Sequence, residues 1–275
     1  MVLTRRPEQV PSSIETIQNL EQLDSGLYFD VVINLAGEAI AAKRWSEKQK
    51  DEIVNSRVNT TRELIAFFKR AKRKPSLLIS GSAIGYYGLD EASGVADASA
   101  SVDEGGAGDG SFSSQLCQQW EAVALEASEL GIRTCLLRTG IVLGRGGALA
   151  KMLPPFKLGL GGRVGSGRQW MPWIHITDLV GIILYCIANE AMQGAINGTA
   201  PNPVSNREFV RTLGRVLGRP ALLPLPAFIV RLLLGQMGEE LLLAGRRIMP
   251  RKALDSAYHF EYPDLEPALR EALGK

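Results

Sequence analysis

The sequence predicts an α/β protein built on a doubly wound parallel sheet. Three apolar runs, each of which ends in small polar residues, indicate buried strands at 29–37, 76–88 and 133–143. Between them lie two longer segments, 46–71 and 114–130, with apolar residues at helical spacing. Because strands that alternate with helices are joined by right-handed crossovers, they are expected to form one parallel sheet.

The apolar pattern that predicts a strand is weak at residues 1–3 and clear at 29–37. Residues 1–3 read as the end of a strand that turns into a polar loop, and weak patterning over 8–24 is compatible with a short helix. In 29–37 the apolar residues are continuous and do not alternate with polar ones. This pattern favours a central strand that is covered on both faces.

Capping residues mark the two helices. Ser46 followed by Gln49 is a first-turn signature, and apolar residues at helical spacing continue from it. The helix over 114–130 ends before Gly131, a residue type that commonly stops helices. Residues 89–111, which precede this helix, indicate a long acidic surface loop.

After the third strand the character of the sequence changes. Residues 148–158 predict a short helix broken by two prolines, and a helix over 179–188 is predicted to be capped by Thr177 or Asp178. The glycine-rich loop 159–168 lacks the Lys-Ser/Thr ending of a phosphate-binding loop. Helical pieces separated by proline turns then indicate a smaller, mostly helical lobe.

The strand at 76–88 carries the candidate site. It ends in Ser80 and Ser82, and Tyr86 and Tyr87 lie just beyond. In an open α/β sheet, ligands bind at the carboxyl ends of strands because backbone groups and short side chains project into a crevice there. The alternative is an ordinary tight turn, in which serine and glycine are common. Both interpretations stay open on these residues alone.

The composition limits the classes of function that the protein can have. The net charge of +2 is too small to indicate a nucleic-acid partner. Three scattered cysteines and two histidines favour reduced core thiols over a disulfide framework or a metal site. No apolar leader is visible, and the longest apolar stretches, 179–188 and 225–234, are too short to span a bilayer. We therefore expect a cytoplasmic protein with no metal and no membrane or nucleic-acid partner.

Several segments are specific in combination and cover essentially the whole chain. They are NLAGE (34–38), the Ser56-Arg57 pair, ISGSAIGYYG (79–88), LRTGIVLG (137–144), LPPFKLGLGG (153–162), PWIHITDL (172–179) and RRIMPRKALDSAYHFEYPDLEPAL (246–269). With these segments the chain resembles the epimerase family proteins. That family is an atypical group among the extended members of the short-chain dehydrogenase/reductase superfamily.

The resemblance implies that cofactor and substrate are bound by different parts of the chain. It implies a Rossmann-like, NADP-binding domain over 1–145 and a small substrate-side lobe over 146–275 with a family-specific tail at about 222–272. The implied ligands are NADP and a small-molecule substrate.

The resemblance also implies a set of cofactor contacts. A basic residue at Arg5 suits the 2′-phosphate of NADP, whereas NAD-binding proteins usually carry an acidic residue near that place. For Arg57, an exposed position on the helix surface is the alternative. The implied cofactor residues are Thr4, Arg5, Leu35, Ala36, Glu52, Arg57 and Ile141.

Two departures from the family pattern limit the functional prediction. The first strand, glycine-rich turn and first helix, which hold the pyrophosphate, have no match, and we expect a truncated sequence. The family's Tyr-x-x-x-Lys pair is replaced by Ser111 and Gln115, which cannot do its acid/base work. Ser82 matches the substrate-orienting serine, and Tyr86 or Tyr87 is our hypothesis for the missing phenol.

Three functional hypotheses follow. The first is an NADP-dependent oxidoreductase or epimerase that acts on a small carbonyl or sugar-nucleotide-like substrate. The second is a non-catalytic NADP-binding sensor or assembly protein, which the missing Tyr/Lys pair favours. The third is a structural remnant without cofactor, which the missing glycine turn favours. A homodimer is compatible with the sequence.

Overall fold

The structure is a computed structural model that describes residues 1–89 and 101–275. Residues 90–100, the first half of the acidic loop predicted over 89–111, lie outside the described residues.

Short strands are spread along the whole of the described chain. They are β1 (Val2–Leu3), β2 (Thr16–Ile17), β3 (Val31–Asn34), β4 (Leu77–Ala83), β5 (Ser101–Val102), β6 (Arg133–Thr139), β7 (Ile141–Leu143), β8 (Trp170–Met171), β9 (Trp173–His175), β10 (Gly194–Gly198), β11 (Val204–Ser205) and β12 (Arg247–Ile248).

The helices alternate with these strands and then dominate the C-terminal part. They are α1 (Glu47–Arg70), α2 (Phe112–Glu129), α3 (Gly147–Lys157), α4 (Ile176–Ala188), α5 (Asn206–Leu217), α6 (Ala227–Leu234), α7 (Gln236–Gly238), α8 (Arg251–Asp255) and α9 (Leu265–Ala272). Short 3-10 turns occupy Pro7–Gln9, Leu20–Gln22 and Ile84–Tyr87, and a π-helical turn occupies Glu239–Leu243.

Four parallel strands form the central sheet in the order β10-β6-β4-β3. The register places Asn34 of β3 opposite Ser80 of β4, and Ser82 of β4 opposite Arg138 of β6. Because the strands are parallel, their carboxyl ends share one edge of the sheet. The predicted α/β fold class with a parallel sheet is confirmed.

The first two strands form a separate, two-stranded parallel sheet. The helix suggested over 8–24 is wrong at Thr16 and Ile17, because these β-branched residues extend and pair with Val2 and Leu3. Among the described residues, no strand pairs with the outer side of β3, and Ile33 is 45% exposed. In this structure β3 is therefore an edge strand, in contrast to the covered strand that its continuous apolar residues predicted.

Helices cover both faces of the central sheet. Successive side chains of β4 point to opposite faces. Leu78 packs in the core that α1 and α2 form on one face, while Leu77 and Ile79 pack with α4 on the other. The predicted capping of α1 is confirmed, since the Ser46 hydroxyl accepts the backbone N–H of Gln49.

Two segments differ from their predicted extents. The strand predicted over 133–143 is divided, and β7 leaves the central sheet to pair with β9. Helix α3 runs through Pro154 and Pro155, where a break was predicted. Both prolines are exposed, as are Ala150 and Lys151 four residues earlier, so water can bind the carbonyl groups that lose their helical partners.

The N-terminus of α4 is capped by His175, and not by Thr177 or Asp178 as predicted. His175 Nδ1 accepts the backbone N–H of Thr177 at 3.3 Å, and its Nε2 lies 2.8 Å from a carboxylate oxygen of Glu271. The Asp178 carboxylate is buried and accepts two backbone N–H groups from the segment before α9, at 2.7 and 2.9 Å. It therefore joins α4 to the C-terminal segment.

The second half of the chain builds its own core and also completes the sheet. Helices α3, α5 and α9 pack with β7 and β9 around Trp173, Phe209 and Leu269. Strand β10 lies beyond residue 145 yet pairs with β6, so it belongs to the central sheet. Within the described residues, no helix combines the length and the apolar character that crossing a bilayer requires.

Candidate functional site

The carboxyl ends of β3 and β4 lie side by side at the predicted edge of the sheet. Asn34 at the end of β3 is buried, and its Nδ2 donates to Thr61 Oγ1 at 3.0 Å. Its Oδ1 accepts the backbone N–H of Ala36 at 3.2 Å, which shapes the turn. The neighbouring Leu35 side chain is 60% exposed. An apolar side chain held open at this edge can cover part of a bound ring.

Arg5 lies beside the same turn. Its Nη2 is 3.6 Å from Glu38 Oε2, and 88% of the Arg5 side chain is exposed. Thr4 Oγ1 accepts the backbone N–H of Arg6 at 3.0 Å and so fixes the turn after β1. An exposed ion pair contributes little, so the Arg5 guanidinium remains available to a phosphate group.

Arg57 braces the turn after β3. Its Nη2 donates to the carbonyl of Glu38 at 2.9 Å, and its Nη1 donates to the carbonyl of Ile53 at 3.1 Å. The guanidinium lies over the Trp120 ring, and burial lowers the pKa of Arg57. A Cβ added to Gly37 would lie 2.9 Å from Arg57 Cζ, so a larger residue there would displace the Arg57 side chain.

The other two predicted cofactor residues lie on neighbouring elements. Glu52 is exposed on α1, and Ile141 is half-buried at the start of β7. The contacts of all seven residues with a cofactor remain predictions; the structure places Arg5 and Leu35 at one turn and Glu52 and Ile141 on neighbouring elements.

A buried ion pair lies under the end of β4. Ser82 Oγ donates to Glu121 Oε1 at 2.6 Å. Arg138 Nε and Nη2 donate to the two oxygens of the same carboxylate, each at 2.8 Å. All three residues are buried, so this bidentate pair is dry and well oriented. Because the Ser82 hydrogen is directed at Glu121, the lone pairs of its oxygen remain to accept a hydrogen bond.

The two tyrosines after Ser82 have different surroundings. Tyr87 is fully buried, and its hydroxyl donates to Asn197 Oδ1 at 2.6 Å and accepts from Arg138 Nη1 at 3.0 Å. Burial raises the pKa of Tyr87 to about 12. Tyr86 is partly exposed, and its ring centre lies 3.4 Å from Arg138 Cζ. Of the two phenols, that of Tyr86 is the one open to a ligand.

The start of α2 holds the positions where the family's Tyr-x-x-x-Lys pair was expected. The Ser111 hydroxyl caps the helix and donates to Asp109 Oδ1 at 2.5 Å. Gln115 is exposed, and its Nε2 donates to the carbonyl of Gly110 at 3.0 Å. Both side chains thus have local structural contacts at the helix start.

Sequence reasoning missed three residues of this region: Glu121, Arg138 and Glu240. The signal for Arg138 was present, because a cation within a buried apolar strand requires a buried partner. Glu240, from the π-helical turn, accepts the backbone N–H of Ser113 at 2.9 Å and so binds the start of α2. No local pattern marks this contact, since 127 residues separate the two partners.

Comparison with known proteins shows the family of the chain. A profile of the NAD dependent epimerase/dehydratase family matches residues 3–197, which are most of the chain. The chain belongs to this family. A second profile, a domain of unknown function (DUF1731), matches residues 225–272, close to the tail predicted at about 222–272.

Members of the epimerase family from distant organisms are similar to the chain. The epimerase family protein YfhF of Bacillus subtilis (strain 168) is 41% identical over 247 residues, which are 90% of this chain and 79% of the relative. The epimerase family protein SDR39U1 of Homo sapiens is 39% identical over 249 residues, 89% of this chain and 82% of the relative.

Solved structures of the family share the fold. The crystal structure of human SDR39U1 (isoform 2) with NADPH is 38% identical, with a TM-score of 0.85 over 94% of this chain and 87% of that chain. A UDP-glucuronic acid 4-epimerase from Bacillus cereus in complex with NAD is 17% identical, with a TM-score of 0.72 over 97% of this chain and 81% of that chain. The predicted family and Rossmann-like fold are confirmed.

The residues at the sheet edge fit the adenosine end of a dinucleotide. Arg5 offers an exposed cation, and Leu35 offers an exposed apolar side chain at the same turn. A pyrophosphate commonly binds at a helix N-terminus. Here the N-termini of α1 and α2 are filled by Ser46 and Glu240. The fit is therefore to the nucleoside and its 2′-phosphate.

Proposed function

We propose that this chain is an NADP-dependent oxidoreductase or epimerase-like protein that acts on a small carbonyl or sugar-nucleotide-like substrate. The observation that carries this proposal is the exposed Arg5 guanidinium beside the turn after β3. A cation at this place suits the 2′-phosphate that distinguishes NADP from NAD. The structure of the human relative with NADPH supports the same cofactor.

One end of the proposed site binds the cofactor. Thr4 and Arg5 bind the 2′-phosphate, and the remaining implied contacts, Leu35, Ala36, Glu52, Arg57 and Ile141, surround the cofactor. Bound NADPH would supply a hydride.

The substrate end depends on Ser82 and Tyr86. The Ser82 oxygen, held by Glu121, accepts a hydrogen bond from a hydroxyl group of the substrate and so orients the substrate. The Tyr86 phenol exchanges a proton with the substrate oxygen, and buried Tyr87 fixes the Arg138 guanidinium on which Tyr86 stacks.

Cofactor binding is tested by thermal unfolding with NADPH and with NADH. A ligand that binds the folded state raises the Tm, so we expect a larger rise with NADPH than with NADH. Arg5→Glu should abolish that preference. Lys74→Glu, an exposed charge change at the opposite, amino end of β4, should preserve it. Equal stabilisation by both nucleotides in the wild type and in Arg5→Glu would contradict the role of Arg5.

Catalysis is tested by NADPH oxidation against a panel of small carbonyl compounds and sugar nucleotides. We expect Tyr86→Phe to reduce kcat by about 10²–10⁴-fold, the usual contribution of a proton-transfer group, and Ser82→Ala to reduce it by about tenfold, since it removes one orienting hydrogen bond. Tyr28→Phe is the matched control. Tyr28 precedes β3, and its ring packs against Arg73, which follows α1. If both site variants oxidise NADPH at the wild-type rate, Tyr86 and Ser82 have no role in catalysis.

The second candidate function is that of a non-catalytic NADP-binding sensor or assembly protein. Ser111 and Gln115 favour it, because they stand where the family's acid/base pair is expected and make structural contacts instead. A rise in Tm with NADPH, combined with no turnover on any compound of the panel, would select this function.

The proposal includes a cytoplasmic location and a homodimer. Three unpaired, buried cysteines support a reducing, cytoplasmic location. Fractionation of cells that express the tagged protein tests it. Sedimentation of the purified protein over a range of concentrations tests the proposed homodimer.

A further inference from the structure

An exposed apolar surface lies on the C-terminal lobe. Nine large apolar side chains are more than half exposed among the described residues, and seven of them belong to this surface. We call it the leucine face. Its members are between 53% and 82% exposed: Leu158, Leu160, Leu222, Leu223, Phe228, Leu232 and Leu233. Monomeric soluble proteins rarely leave so many large apolar side chains open together.

Backbone contacts hold the parts of the leucine face together. The loop after α3 and the loop before α6 run side by side, since the N–H of Leu223 donates to the carbonyl of Gly161 at 3.2 Å. The N–H of Leu225 donates to the carbonyl of Arg163 at 2.8 Å, and α6 begins two residues later. Within α6, Val230 is buried while Phe228 and Leu232 are exposed.

The charge around the leucine face is positive. Residues 147–235 contain nine Lys and Arg but three Asp and Glu, and two of these cations pair with carboxylates outside the range, Arg215 with Glu266 and Arg231 with Glu239, which leaves a net charge of +4. Exposed cations adjoin the face at Lys157, Arg163 and Arg219. At the C-terminal end of α6, a Cβ on Gly235 would lie 3.1 Å from Arg44 Nη2, so this cation is also close.

We propose that the leucine face docks on the surface of an anionic lipid bilayer. Apolar side chains on a loop and a short helix can enter the boundary between headgroups and acyl chains, while the surrounding cations bind anionic headgroups. Lys and Arg can extend along apolar surface and keep their charge at the headgroups. The expectation of no membrane partner considered spanning segments, and docking in the interface needs none.

The charge distinguishes a bilayer from a second copy of the chain. In a two-fold dimer the same surface meets itself, so the cations around the leucine face would approach one another. Like charges at such an interface are unfavourable, whereas an anionic bilayer complements them. The docking does not depend on the cofactor, and it can be tested without activity measurements.

Flotation with lipid vesicles tests the proposal on the full-length protein. We expect binding to vesicles of phosphatidylcholine with phosphatidylglycerol, and at least tenfold weaker binding to phosphatidylcholine alone. High salt should also weaken binding, since it screens the headgroup charge. Absence of binding to the anionic vesicles at low salt would overturn the proposal.

Two variants separate the apolar and electrostatic parts. The double variant Phe228→Ser/Leu232→Ser should lose at least tenfold in binding to anionic vesicles, and so should Lys157→Glu/Arg219→Glu. Leu184→Ser, an exposed leucine on α4 and outside the leucine face, is the matched control and should bind as the wild type does. Circular dichroism melting confirms that each variant is folded.

Other outcomes would overturn the proposal. If Phe228→Ser/Leu232→Ser binds vesicles as the wild type does, the leucine face is not the docking surface. If sedimentation instead shows a dimer that this double variant dissociates, a second copy of the chain covers the face.

Discussion

Glu121 neutralises the most deeply buried cation at the candidate site. Its Oε2 lies 2.8 Å from Arg138 Nη2, and both side chains are almost inaccessible. Glu121→Gln removes the charge and leaves the guanidinium uncompensated in the interior. We therefore expect the free energy of unfolding to fall by about 3–5 kcal/mol. Urea denaturation followed by circular dichroism measures this change.

The same helix provides a control for that variant. Glu126 pairs with Lys69 at 2.9 Å, but both side chains are well exposed. Exposed pairs are worth less than about 1 kcal/mol, so Glu126→Gln should change the stability little. Similar losses in the two variants would show that burial is not the source of the effect.

Tyr87 links the stability of the protein to alkaline pH. Burial raises its pKa from 10.0 to about 12. The unfolded chain therefore releases this proton near pH 10 while the folded protein retains it. The contribution to stability is complete below that pH and is lost as the pH rises toward 12.

Tyr87→Phe should remove that part of the pH dependence. We expect the loss of unfolding free energy between neutral and strongly alkaline pH to shrink by about 1–3 kcal/mol. Denaturant unfolding at a series of pH values gives the slope for each protein. Burial also raises the pKa of Tyr258 to about 12, so part of the slope should remain. An identical slope in wild type and variant contradicts the assignment to Tyr87.

Individual residues were predictable where a local rule applies to them. The N-cap at Ser46 and its partner Gln49 follow from a pattern within one helical turn. The Ser82–Glu121–Arg138 cluster joins residues from β4, α2 and β6, and no local pattern marks which partners meet. Tertiary packing alone decides such contacts.

At the scale of elements, Glu240 joins the C-terminal lobe to α2. Its carboxylate accepts the backbone N–H groups of Phe112 and Ser113 at 3.2 and 2.9 Å, and the Ser113 hydroxyl at 2.6 Å. A carboxylate at a helix N-terminus satisfies free N–H groups and favours the positive end of the helix dipole. The π-helical turn thus holds the start of α2.

Removing this carboxylate should loosen the first turn of α2. We expect Glu240→Ala to lower the free energy of unfolding by about 1–2 kcal/mol, the usual loss for a helix cap. Hydrogen exchange of the amides of Phe112 and Ser113 should become faster. Glu239→Ala is the control, because Glu239 pairs with Arg231 on the exposed side of the same turn. Unchanged exchange at both amides in Glu240→Ala would refute the capping role.

Elements with strong periodicity and caps were predictable, and short ones were not. Helix α1 shows both features, and β4 is a long apolar run. Strand β2 has two residues and exists because β1 lies beside it, so its sequence alone resembled a weak helix. The break predicted at the two prolines of α3 was wrong because Ala150 and Lys151, whose carbonyl groups lose their helical partners, are exposed to water.

At the scale of the molecule, the central sheet joins the two parts that the sequence divides at residue 145. Strand β10 comes from the second part and pairs with β6 along its whole length. Helices α4 and α8 pack against the same face of that sheet as Ile79. The core around Ile79 draws on both parts, so we expect their unfolding to be coupled, because this portion of their apolar surface is buried only where the two parts meet.

The three cysteines report on this cooperativity. Cys117 lies on α2, Cys135 on β6 and Cys186 on α4, and each is at most 2% exposed. Burial also raises the pKa of Cys117 to about 11, so little thiolate is present at neutral pH. We expect no native thiol to react with an aromatic disulfide reagent, and all three to react at one common rate as denaturant is added. Mass spectrometry of peptides from timed samples identifies each labelled cysteine. Labelling of Cys186 well before Cys117 would show that the second half of the chain opens by itself.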